Sequence, residues 1–250
     1  MPAPPSGTAL FARYAYPPNQ LGYCGPPDAA HLLAHGPATT DDREVAARAR
    51  RFEGAWAYLE VIASAAGIDD PLDPRVVEAY WVGNDLTDRV DPAFPARLTD
   101  RFRGQGGGFW ASLPPGAGTL ARPHHSFHVF AVYPWVGLLG SGPEVALSVL
   151  DRCRIRWGEV VSVDGEEAAV RSRPLVWDGG RLDLGDERIE RVRREATGRA
   201  LAAGVSVGDP VALHWDWVCD RLTPARVATL AAVSAAQLEL ANRHLAAARG

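Results

Sequence analysis

Seven histidines and three cysteines carry most of the capacity for metal or thiol chemistry in this chain. Their spacing sorts them into groups. His124, His125 and His128 crowd together just after Pro123. On a helix, His124 and His128 share a face at the i,i+4 spacing used for metal ligands. On a strand, Ser126, His128 and Phe130 share a face instead, and the apolar run that follows favours this reading. With Cys24, the three histidines form one candidate site, suited to a metal-dependent enzyme. Cys153 and His214 form a second candidate pair, since thiolate and imidazole suit borderline metals such as iron. Read alone, a cysteine such as Cys153 is more often a buried, inert side chain. His31 and His35 read as a solvated helix end before Gly36-Pro37. The segment 11–26 gathers Arg13, Asn19, Cys24 and several aromatic residues, and reads either as a ligand-facing segment or as a cover over a core.

Several chemistries are excluded. All 26 basic residues are arginine, so neither a Schiff-base lysine nor a P-loop lysine is present. The glycines at 104–108 read as a flexible break, because no lysine follows and no strand precedes them. No serine nucleophile elbow occurs.

The elements that must position these residues follow from periodicity and caps. Residues 1–40 are rich in Pro and Gly and read as ordered loop with aromatic anchors. Thr40 or Asp41 caps a helix carrying Val45, Ala49, Phe52, Trp56, Leu59 and Ala63, which ends at Gly67. Asp73-Pro74 starts a second helix. A third runs from 95 to 102, and a short one from 143 to 150. From Cys153 the character changes to short strands punctuated by Asp164-Gly165 and Asp178-Gly179, both hairpin signals. A charged helix is expected over 186–203. A strand then carries His214, with His214 and Asp216 on one face and Leu213, Trp215 and Trp217 on the other. Thr223-Pro224 opens a long alanine-rich terminal helix. The expected fold is α+β: an α-rich domain over 1–150, then over 151–250 a small OB-like β-barrel with an inserted helix and a C-terminal helix.

With 250 residues, 47% hydrophobic and 22% charged, the chain has ample apolar content for a core. A net charge of −4 speaks against nucleic-acid binding. Three scattered cysteines make no disulfide framework, which favours a reducing cytoplasm. The N-terminus lacks the features of a signal peptide. The apolar run 127–140 is too short to span a bilayer and holds Pro134, so no membrane insertion is expected.

The stretch from Cys153 through Gly158, Asp164-Gly165 and Ala169-Val170 resembles the opening of the HypC/HupF-type [NiFe]-hydrogenase maturation chaperones. That opening reads roughly Cys-x-x-x-Pro-Gly-x-Val, then Asp-Gly, then an Ala-Val strand. The later run from Val207-Gly208-Asp209 to His214 resembles the same family's Val-Gly-Asp-x-Val-Leu-Val-His strand. The resemblance covers about 100 residues from Cys153 onward. It implies a non-catalytic accessory protein that handles an iron atom bearing cyanide and carbon monoxide, Fe(CN)2CO. It also implies a partner, either the hydrogenase large-subunit precursor or a maturation scaffold protein. The family's opening cysteine maps onto Cys153 and its strand histidine onto His214. Four features depart from the family pattern: Cys153 is internal, Trp157 replaces proline, the 186–203 segment is inserted, and Asp216 stands where glycine is usual. The N-terminal half is similar to an uncharacterised bacterial family associated with hydrogenase genes. Two alternatives stand beside this reading: the metal-dependent enzyme built on Cys24, His124, His125 and His128, and a protein-binding module that uses no metal.

Overall fold

The structure is a computed structural model that describes residues 4–91, 94–102 and 119–248. The 104–108 glycine segment lies outside the described residues. The helical part comprises α1 (Gly7–Gln20), α2 (Ala30–His35), α3 (Arg43–Ala49), α4 (Glu53–Ala66), α5 (Pro74–Trp81), α6 (Phe94–Phe102), α7 (His125–Phe127), a π-helical turn (His128–Val132), α8 (Trp135–Leu138) and α9 (Pro143–Cys153). The strands are β1 (Arg156–Asp164), β2 (Glu167–Ser172), β3 (Leu175–Trp177), β4 (Leu182–Leu184), β5 (Arg188–Arg193), β6 (Pro210–His214) and β7 (Trp217–Arg221), and α10 (Pro224–Ala247) closes the chain.

The fold is α+β. Five strands close a barrel in the order β1-β2-β5-β7-β6, with β6 returning to β1. All neighbours are antiparallel except β5 and β7, which run parallel. The β3–β4 hairpin stands outside the barrel. Asp164-Gly165 turns β1 into β2, with Gly165 at φ 55°. Asp178 and Gly179 turn β3 into β4, with Gly179 at φ 93°. Residues with a Cβ rarely adopt such angles.

Caps explain several helix starts. Asp42 accepts hydrogen bonds from the backbone N–H groups of Glu44 and Val45 to open α3, and Asp73 does the same for Arg75 at α5. The Thr223 hydroxyl accepts from Arg226 N at the start of α10. Gly67 ends α4 in the left-handed region at φ 67°.

Four expectations are corrected. Residues 7–20 are helix, not loop: α1 is buried along nearly its whole length, so it shows no polar stripe, and Pro17 and Pro18 sit in its last turn. The helix expected from 40 to 66 is two, broken between Ala49 and Glu53. The charged helix expected over 186–203 is β5 and the loop after it. There Val192 faces the barrel interior, Glu190 reaches Arg156, and the intervening residues face outward, so barrel closure overrides helix propensity. Finally, β6 stops at His214, and Trp215 takes φ 51° to start a tight turn into β7. His214 is therefore buried while Asp216 is exposed and pairs with Arg152, and the two do not share a strand face.

The segments 1–150 and 151–250 share one hydrophobic core. A second, smaller core of Val160, Val170, Val211, Leu213 and neighbours fills the barrel. α1 packs on α2 and α5 and also against β6 and β7. α10 packs on the π-helical turn, α7, α8 and β4. Arg13 of α1 donates to Asp220 of β7 at 2.6 Å, and Arg226 of α10 reaches the same carboxylate at 2.9 Å. Among the described residues no helix is long and apolar enough to cross a membrane.

Candidate metal-binding cavity

Cys153 is the last residue of α9, not the first of a strand. A helix end leaves its last carbonyls without intrahelical partners, and here the partners come from the barrel and from α7. Arg156 donates to the Asp151 carbonyl at 3.1 Å and the Arg152 carbonyl at 3.2 Å. Trp215 N donates to the Arg152 carbonyl at 2.7 Å, and Arg156 donates in return to the Trp215 carbonyl at 2.7 Å. These bonds bind the end of α9 to the turn after β6. Cys153 and His214 are brought together by them.

His214 reaches back to α1. Its Nδ1 donates to the Tyr14 carbonyl at 2.7 Å. That bond fixes the tautomer, leaving Nε2 as a lone pair, buried and without a hydrogen-bond partner. His125 comes from the other side. Its Nε2 lies 2.9 Å from the Cys153 carbonyl and 4.0 Å from Cys153 Sγ, and its Nδ1 lies 3.2 Å from the Tyr80 hydroxyl. The ligand atoms of His125, Cys153 and His214 all lie within 4.8 Å of one another, and all three residues are buried. A tetrahedral site with metal–ligand bonds of 2.0–2.3 Å needs ligand separations of about 3.5 Å. A modest inward movement of side chains would suffice.

The three border a cavity of about 240 Å³. Its wall is largely aromatic and includes Phe52, Tyr80, Trp81, Tyr133 and Trp135. Cys24 and His128 also line it. The two candidate sites of the sequence thus meet at one cavity, with His124 as the exception. His124 caps α7, its Nδ1 accepting from Ser126 N at 3.1 Å and lying 2.6 Å from the Ser126 hydroxyl. The expected 126–133 strand is helical instead, passing from α7 into a π-helical turn, a feature frequent at functional sites. His125 and His128, three apart, therefore face the cavity together. His31 and His35 lie elsewhere, against Asp42 and Glu44.

Burial governs the protonation states. It lowers the pKa of His125 to about 4 and that of His128 to about 3, the latter also through repulsion from His125. Burial likewise holds His214 well below its ordinary value. All three imidazoles are neutral at pH 7 and offer nitrogen lone pairs. Burial pushes the Cys24 thiol up to about 12 and raises Cys153 further, with Cys24 adding to the effect on Cys153. Both thiols are protonated until a cation stabilises the thiolate. The donor set fits a metal: neutral imidazoles, thiols that ionise on coordination, and orphaned nitrogens at His214 Nε2 and His128 Nε2.

Sequence reasoning missed Tyr80, Tyr14 and Arg156. Tyr80 reads as part of an apolar helix face and Tyr14 as an aromatic anchor in a loop, and nothing local to Arg156 distinguishes it from the other arginines.

The fold and the site define an α+β protein whose OB-like barrel and helical half share a buried Cys/His cavity. Residues 3–248 match the model of a family of unknown function, DUF6390, and the chain belongs to that family. No curated protein and no solved structure matches the chain.

Proposed function

We propose that this protein is a non-catalytic accessory factor in [NiFe]-hydrogenase maturation, and that its cargo is the Fe(CN)2CO fragment. Cys153 and His214 hold the iron, and His125 stands beside them. The observation that carries this reading is the adjacency of Cys153 and His214, the two positions singled out by the resemblance to the HypC/HupF-type chaperones. They are 61 positions apart in the chain, yet their ligand atoms lie within 4.8 Å. The adjoining, largely apolar cavity leaves room for small diatomic ligands. The partner is the hydrogenase large-subunit precursor or a maturation scaffold, and the setting is the cytoplasm.

Hydrogenase activity in a strain carrying Cys153→Ala tests the reading. Loss of activity together with loss of co-purified iron is expected, and unchanged activity would overturn the carrier role. Loss on deletion of the protein but not on Cys153→Ala would replace cargo binding with docking alone. The enzyme alternative keeps Cys24, His125 and His128 at the cavity but loses His124 to its capping role.

A further inference from the structure

We propose that Cys24 is a second thiolate ligand in this cavity, so that the helical half and the barrel half close on one metal. The inference rests on the reading that the cavity takes a metal. Low-spin iron with three diatomic ligands has three further positions to fill. Cys153 and His214 fill two. His125 Nε2 is already engaged by the Cys153 carbonyl at 2.9 Å, whereas Cys24 lines the cavity and has no hydrogen bond to its thiol among those the structure shows.

The turn that carries Cys24 is pinned at the edge of the cavity. The Asn19 amide donates to the Cys24 carbonyl at 2.8 Å and the Pro26 carbonyl at 2.7 Å. Gly25 sits at φ 80° with the Phe52 ring so close that an added Cβ would lie 2.3 Å from it. On the other flank, the Tyr23 ring stacks on Trp215, the residue after His214, at 4.3 Å between centroids. Both neighbours of Cys24 are thus fixed, one of them against the barrel turn that carries His214. Independent support for a ligand comes from His214 Nε2 and His128 Nε2. Both rings border the cavity, both residues are almost wholly buried, and neither nitrogen has a partner. Such nitrogens are unfavourable unless something binds them. Cys24 stands outside the 4.8 Å group of His125, Cys153 and His214, so loading turns its side chain toward them while the backbone of the turn stays held. Each coordinating thiol forms one metal–sulfur bond and gives its proton to solvent.

Cobalt(II) titration of the full chain under anaerobic conditions tests this, read by the thiolate-to-cobalt charge-transfer band. Band intensity scales with the number of bound thiolates. The wild-type protein should show a two-thiolate band. Cys24→Ser should bind cobalt with about half that intensity, as should Cys153→Ser. A full-strength band in Cys24→Ser would overturn the proposal while leaving Cys153 and the metal site standing. No band in the wild-type protein would overturn both readings. Should Cys24→Ser fail to fold, alkylation of the wild-type protein decides. Cobalt should slow modification of Cys24 at least tenfold, and an unchanged rate would overturn the proposal.

Discussion

The Nε2 atom of His125 lies 2.9 Å from the carbonyl oxygen of Cys153 and 4.0 Å from its sulfur. One imidazole nitrogen thus faces both the end of α9 and a ligand position. In the metal-free state Nε2–H donates to the carbonyl, and Nδ1 accepts from Tyr80. The Tyr80 hydroxyl also lies 3.1 Å from the Gly54 carbonyl. Tyr80 thus holds His125 in the tautomer that caps the end of α9.

Tyr80→Phe removes that shared hydroxyl. It leaves the buried His125 Nδ1 without a donor, a loss of about 1–3 kcal/mol in stability. Because His125 also holds the Cys153 carbonyl, the loss loosens the Cys153 ligand, and losses of this kind typically weaken metal affinity by about 10–100-fold. Urea unfolding and a cobalt titration measure the two effects. An unchanged affinity would remove Tyr80 from any role at the site.

Gly54→Ala places a Cβ 2.8 Å from His128 Nε2. His128 is boxed in by Tyr58, Phe102 and Tyr133, so the ring has little room to yield. Overpacking of this kind typically costs about 1–3 kcal/mol. A fall in melting temperature is expected, together with a perturbed near-ultraviolet circular dichroism spectrum from the surrounding rings. A fully wild-type melt would show that the cavity wall adapts.

Arg156→Met cuts the link between α9 and the β6–β7 turn. Arg156 is almost wholly buried and pairs with Glu190 at 3.0 Å, and Ser172 also bonds that carboxylate. Removing one partner of a buried pair typically costs about 3–5 kcal/mol. Adding Glu190→Gln should recover part of that loss. Denaturant unfolding of the two variants provides the check, and equal stability would refute the coupling.

Acid should destabilise the protein well above the usual carboxylate range. His124 and His128 have folded pKa values near 3 and His125 one near 4, against about 6.5 in the unfolded chain. A depressed folded pKa contributes stability that is present above the unfolded value and lost as pH falls toward the folded one. Each histidine therefore removes up to about 1.4 kcal/mol per pH unit below about 6.5. Urea unfolding between pH 7 and pH 5 should show this slope, and His128→Phe should reduce it. A flat profile would contradict neutral burial of these rings.

Much of the barrel was legible because its signals are local. Asp164-Gly165 and Asp178-Gly179 mark hairpins whatever surrounds them, and Thr223-Pro224 starts a helix by its own chemistry. Cys153 and His214 were legible as a pair through motif order. The strand at β5 was not, because Arg188-Ile-Glu-Arg-Val-Arg has no strong local preference and barrel closure chose for it. The i,i+4 spacing pointed to His124 with His128, whereas His124 is spent as a cap and His125 turns to the cavity.

The sequence by itself determined the donor types: imidazole and thiol, no lysine, and strands ending near a histidine. The tertiary structure decided which donors meet. His125 reaches Cys153 and His214, and Cys24 borders the same cavity, because α1 packs against both α5 and the barrel strands, and because the open carbonyls of α9 are satisfied by Arg156, Trp215 and His125. Contacts such as His214 to the Tyr14 carbonyl span 200 residues. Packing of buried surfaces sets them, and no local spacing encodes them.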